Sequence, residues 1–273
     1  MNFITFSRKM GARGTEIARL VAKELQYNFY DTEAIENRAR ETGILNDVEK
    51  VDDKAPPLLK RFFTHRPEVL LDRLHAVMYE LAGRGNAVFL GRGGNVLLRS
   101  VPGTLHIRII ASRQKRLRNL LERGLKREEA LAAMEKSDHE RESFIKFAFR
   151  RDWEDPELYD MVLNTDNLAV DLAAHIIVGA ARTEDARDRS ADVKNSLQLM
   201  ELTERVEAAL TEGGFPPSYI SSSVGPGGKV RLTGVVQVPW EKSAAEGAVK
   251  AVEGVESVEN LIEIASSSPI PER

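Results

Sequence analysis

Short apolar runs alternating with longer amphipathic stretches constrain this chain more than any other feature of its first 185 residues. Residues 2–6 form an apolar run that enters a glycine-containing turn at 7–14 and then a stretch, 15–25, whose Ile17, Leu20, Val21 and Leu25 fall on one helical face. Residues 27–30, 87–90, 105–111 and 160–163 read as further strands, and 32–42, 58–82 and 168–181 as helices. The run at 87–90 is continuously apolar and 105–111, mainly apolar, reads as another of the kind, as in parallel strands covered on both faces. Strands that alternate with helices connect through right-handed crossovers, so the expectation is an α/β fold, a parallel sheet flanked by helices. The acidic, proline-containing VDDKAPP at 51–57 reads as a loop.

The composition changes at 182–190, RTEDARDRS, where charge replaces apolar side chains and a solvated linker or helix end is expected. Beyond it lie an amphipathic helix at 197–211, a Gly-Gly-Phe-Pro-Pro break, alternating strands at 219–224 and 229–236 around GPGG, a helix at 240–252 and a strand near 255–264. This αββαβ order is long enough for a small α+β domain of its own. The predicted organisation is a domain over 1–185, a linker over 186–194 and a second domain over 195–266, with SSSPIPER as a frayed tail.

Net charge is −3, but residues 191–273 carry 7 basic and 12 acidic side chains and the remainder is slightly basic. That excess suits a small anionic ligand and is too weak for a nucleic-acid groove, so nucleic acid is not an expected partner. The absence of cysteine excludes disulfides, thiolate catalysis and cysteine-ligated zinc. MNFITFSRKM places its apolar run before its basic residues, the reverse of a secretion signal, and no apolar run approaches the roughly 20 residues that cross a bilayer. A cytoplasmic protein that does not span a membrane is expected. His65, His75, His106, His139 and His175 are scattered without metal-ligand spacing, so no protein-held metal is expected, and Trp153 and Trp240 are expected to pack against their helices.

Five segments carry residues suited to phosphate chemistry. SRKMGARGT feeds a helix N-terminus, where backbone N–H groups point at an anion, and Arg8, Lys9 and Arg13 add charge; an ordinary strand-to-helix turn has the same outline. It lacks the Lys-Ser or Lys-Thr that closes a strict phosphate loop. In FYDTEAI, Asp31 and Thr32 stand at the C-terminal end of a strand, where open α/β sheets contact ligands, or Asp31 simply caps the next helix. VFLGRGG places Arg92 among glycines that clear space for a guanidinium to meet a phosphate, or forms a turn with an exposed arginine. ASRQKRLRNLLERG, with Arg113, Lys115, Arg116 and Arg118, and EKSDHERESF, with Lys136, Asp138 and Arg141, are charged helices whose bland reading is a solvated face.

The order of these segments over residues 3 to about 180, closed by YDMVLNT, resembles the cytidylate-kinase-like family of P-loop nucleoside monophosphate kinases. The resemblance implies that the turn from Ser7 through Arg8, Gly11, Ala12, Arg13 and Gly14 to Thr15 holds the phosphates of an ATP donor. It implies that Asp31, Thr32, Arg92, Lys136, Asp138 and Arg141 line the acceptor site. Arg13, Arg92, Arg116 and Asp138 would be catalytic, three of them offsetting phosphate charge and Asp138 orienting the acceptor. Mg²⁺ would be held by nucleotide oxygens and water, with Thr15 or Ser7 as hydroxyl ligands. The family's P-loop lysine is missing, Arg13 being the charge offered in its place, and Asn37, Gly93 and Ser143 stand where the family carries Arg, Asp and Arg.

The C-terminal unit, with GKVRLTGVV and GVESVENLIEI, is similar to the BON domain, which implies binding of lipid, protein or a second copy of the chain. The function expected is phosphorylation of a nucleoside monophosphate, CMP or dCMP first. The alternatives are a nucleotide-binding sensor with little turnover, whose C-terminal module binds a partner, and a kinase for another small phosphate acceptor.

Overall fold

β1 (Phe3–Arg8) is the strand around which the first unit is built, and its residues are buried up to Ser7. β2 (Asn28–Tyr30), β3 (Ala87–Leu90), β4 (Thr104–Ile110) and β5 (Met161–Asn164) complete a five-stranded sheet in the order β2-β3-β1-β4-β5. Every pairing is parallel, with Phe6 in register with Leu90 on one side and Ile107 on the other. The continuous apolar run at 87–90 is an inner strand: β3 is buried throughout, whereas β5 at the edge alternates half-buried and exposed residues. The computed structural model describes residues 2–41, 67–183 and 193–265. The expected loop at 51–57, the start of the helix expected at 58–82, all but the end of the linker expected at 186–194, and the tail beyond 265 lie outside the described residues.

The helices are α1 (Gly14–Leu25), α2 (Thr32–Glu41), α3 (Pro67–Gly83), the single turn α4 (Gly94–Leu97), α5 (Arg113–Leu121), α6 (Arg127–Phe149) and α7 (Val170–Ala181). Ile17 and Val21 of α1 and Ile177 and Val178 of α7 close over Ile4, Phe6, Val88, Leu90, Ile107 and Ile109. Each such fully buried side chain contributes about 1.5–3 kcal/mol, so the face that carries α1 fixes the sheet. The pleat sends Thr5 and Ser7 to the opposite face, where the Thr5 hydroxyl lies 2.8 Å from His106 Nδ1 and the Ser7 hydroxyl accepts from the Trp153 indole at 2.7 Å. Thus Trp153, expected to pack on a helix, instead lies buried beyond the end of α6, because its N–H finds a partner only at the sheet.

Among the described residues, 67–80 cluster with 198–265 as a second compact unit. Its described part has the order α8 (Val193–Glu212), β6 (Ile220–Gly225), β7 (Lys229–Val236), α9 (Pro239–Lys250), β8 (Ser257–Ile264). β7 lies between β6, antiparallel, and β8, parallel. Val206 and Leu210 of α8 and Ala245 and Val249 of α9 share one core with Ile220, Leu232 and Ile262 of the sheet. Trp240 does not join it; as the second residue of α9 it is 67% exposed. His75, expected to stand alone, meets Glu204 at 3.5 Å, and both are near Asp72.

Candidate functional site

The turn after β1 ends in a helix whose N-cap, Arg13, has a left-handed backbone (φ 62°), as does Gly11 (φ 81°). Each carbonyl from Met10 to Ala12 is tied to a side chain arriving from elsewhere. Arg116 donates to Met10 O at 3.2 Å, Asn119 to Gly11 O at 2.8 Å and Thr165 to Ala12 O at 3.0 Å. Asp138 accepts from the Met10 N–H at 2.9 Å and is also bound by Arg116. With the carbonyls drawn away, the N–H groups of Gly11, Arg13, Gly14 and Thr15 make no hydrogen bond among the described residues. Amides grouped in this way at a helix N-terminus form an anion-binding nest.

Beside the turn, at the C-terminal ends of β1 and β3, lies a cavity of about 190 Å³. Arg8, Arg92 and Arg141 line it, with Thr32, Glu140, Phe144 and Trp153 among its walls. Arg92 sits between Gly91 and Gly93 in a run of three left-handed residues (φ 88°, 54° and 70°), an unusual conformation for a side-chain-bearing residue. That curl buries its guanidinium against Glu36. Arg141 lies 3.6 Å from Asp138, and burial holds its pKa below the usual arginine range. Arg8 rises over Gly14, where a Cβ would stand 2.6 Å from its own, and ends over Gly91, where a Cβ would stand 2.6 Å from Nη1. Burial, then the Arg141 and Arg92 guanidiniums, push it down to about 9.

The structure thus brings Arg8, Thr32, Arg92 and Arg141 together at the cavity, placing Arg8 there although it was expected among the donor residues. It does not bring Lys136: the stripe of α6 facing the cavity is Ser137, Glu140, Arg141, Phe144 and Ile145, and Lys136 is exposed. Asp31 caps α2 by accepting from Ala34 N at 3.0 Å, the bland reading, although its charge still bears on Arg8. Asp138 and Arg116 are committed to the turn. Arg13 is exposed and paired with Glu16 at 2.6 Å. Asn119, Thr165, Trp153 and Arg108 were missed as supporting residues; Arg108 is buried over the Trp153 ring at 4.4 Å and holds Glu154 at 2.8 Å. The Ser7 hydroxyl, occupied by Trp153, does not fit as a Mg²⁺ ligand, whereas Thr15 stands in the first turn of α1 beside the unpaired amides.

A five-stranded parallel sheet with an amide nest after its first strand and a cationic cavity beside it defines a phosphate-handling α/β protein of the P-loop kinase type. The chain belongs to the cytidylate kinase-like family, whose model matches residues 3–167, and residues 200–266 match the BON domain. No curated protein matches the chain. Among solved structures, an uncharacterized protein from Eubacterium ventriosum is 19% identical, with a TM-score of 0.55 over 67% of this chain and 100% of its own, a likeness of fold alone. A shikimate kinase from Bacteroides thetaiotaomicron is 14% identical, with a TM-score of 0.42 over 67% of this chain and 99% of its own. No helix among the described residues is long and apolar enough to cross a membrane.

Proposed function

We propose that the chain transfers a phosphoryl group from Mg-ATP to a nucleoside monophosphate, with CMP or dCMP as the preferred acceptor. The observation that carries this reading is the meeting of the amide nest and the three-arginine cavity at the C-terminal end of β1. Phosphoryl transfer asks the protein mainly to position two phosphates in line and offset their charge, and these two features do that side by side. In this reading the amides of Gly11, Arg13, Gly14 and Thr15 hold the donor, and Arg13 reaches it by exchanging Glu16 for a phosphate oxygen. Mg²⁺ arrives with the nucleotide, offsets charge on its phosphates, and finds one protein hydroxyl at Thr15. Thr32, Arg92 and Arg141 receive the acceptor, and Asp138 and Arg116 hold the turn that faces it.

ADP release measured with ATP, Mg²⁺ and CMP, dCMP, UMP, AMP or GMP tests it, against a control without acceptor. Turnover selective for CMP or dCMP is expected. Silence across the panel with ATP binding retained would replace the kinase by the sensor reading, in which the BON domain passes nucleotide occupancy to a lipid, protein or second copy. The missing P-loop lysine is the observation that favours this second reading.

A further inference from the structure

The Arg8 side chain makes no hydrogen bond or ion pair among the described residues, and its Nε is buried. Its neighbours worsen this position: Arg92 and Arg141 oppose its charge, and Asp31, the carboxylate that supports it, is engaged with the α2 amide and lies 3.4 Å from Arg19. Glu140, the one carboxylate in the cavity lining, supports Arg141 instead. A guanidinium partly withdrawn from water, its Nε buried without a partner, carries a desolvation penalty that an anionic ligand reduces. The side chain also lies where such a ligand is needed. It starts at the turn, over Gly14, and ends at the cavity, over Gly91; both positions admit it because neither carries a Cβ.

We infer that Arg8 is the cation that takes the place of the missing P-loop lysine, binding a phosphate oxyanion at the seam between the donor turn and the acceptor cavity. Arg13 cannot share that seam while it is held by Glu16 at the exposed mouth of the turn. The fork geometry of a guanidinium allows Arg8 to contact two phosphate oxygens at once, which an ammonium does not. This inference rests on the phosphotransferase reading for its catalytic consequence, but its binding consequence stands apart from it.

The test uses the full chain and Arg8→Met, a substitution that keeps the stem's bulk and removes the charge. Calorimetric titration with inorganic phosphate and thermal unfolding in phosphate-free buffer are the readouts. The wild type is expected to bind phosphate and to rise in Tm as it does so. Arg8→Met is expected to lose at least about tenfold in phosphate affinity, the scale of one charge-assisted hydrogen bond, and to unfold at a higher temperature than the ligand-free wild type. Phosphate affinity unchanged in Arg8→Met, or no phosphate binding by the wild type, overturns the inference. If Arg8→Met does not fold, Arg8→Lys decides, with weaker phosphate binding supporting the inference and unchanged binding overturning it. A wild type that binds phosphate through Arg8 yet turns over no nucleotide defeats the kinase reading and leaves Arg8 in place.

Discussion

The turn after β1 and the cavity beside it are made from the same residue types, glycines and arginines, yet they are left unsatisfied in different places, the turn at its amides and the cavity at Arg8. In the turn three carbonyls are held by side chains, Met10 N–H is held by Asp138, and Arg13 and Arg116 each have a carboxylate. In the cavity Arg92 is held by Glu36 and Arg141 lies 3.6 Å from Asp138, but the lining itself contributes one carboxylate and the Arg8 side chain has no hydrogen-bond or ion-pair partner among the described residues. A turn whose carbonyls are held is a preformed shape, in which the unpaired amides cost no reorganisation when an anion arrives. An unsaturated cavity stores an electrostatic demand that only a ligand meets, the common trade of stability for function. One part of the site supplies geometry, and the other supplies driving force.

The wall between the two is the place to break this contrast hardest. Trp153 donates to Ser7 at the end of β1, lies under Arg108 and lines the cavity. It is 3% exposed, and Trp153→Ala is expected to destabilise the protein by about 3–5 kcal/mol, read by urea unfolding. A loss below about 1 kcal/mol would mean that the buried Trp153–Arg108 stack is not a structural wall and that Ser7 is held by other means.

Much of this frame was legible in the sequence. A continuous apolar run at 87–90 and a mainly apolar one at 105–111, interrupted by His106 and Arg108, marked two of the inner strands, and the glycine turn between an apolar run and an amphipathic stretch marked the nest. What periodicity does not carry is which distant segment meets which. Asn119 stands among basic residues on α5 and Thr165 directly after β5, and neither has a local signal for reaching the turn. Trp153 and Arg108 lie 45 residues apart and meet only once β4 is placed beside β1. Lys136 is different, because its exclusion was readable: Ser137, Arg141, Phe144 and Ile145 fall at helical spacing on one stripe, with Lys136 beside it. The move of Arg8 to the cavity depends on space left by two glycines 77 positions apart, which no local pattern shows.

A finer cut separates the turn's geometry from the cavity's charge. Asn119→Ala leaves the Gly11 carbonyl buried without its donor, at an expected cost of about 1–3 kcal/mol in stability. Because the nest amides lose their preset direction while the arginines are untouched, ATP affinity is expected to fall and inorganic phosphate affinity to stay at the wild-type value. Equal losses of both ligands would show that turn and cavity form one site with one determinant, and the contrast drawn above would fail.

The smallest effect is expected at Arg13, and it carries the most information about the missing lysine. Arg13 and Glu16 are a partly exposed pair one helical turn apart, and such pairs contribute about 0–0.5 kcal/mol, so Arg13→Ala should hardly move the unfolding midpoint. Both Arg13 and Arg8 are arginines near the turn, but one is exposed and has a carboxylate while the other is half-buried and its side chain has none. Desolvation makes a charge worth more to a phosphate, so turnover should fall less in Arg13→Ala than in Arg8→Met. The reverse order, measured as kcat on the same acceptor, would return the lysine's role to Arg13 and reduce Arg8 to a binding residue.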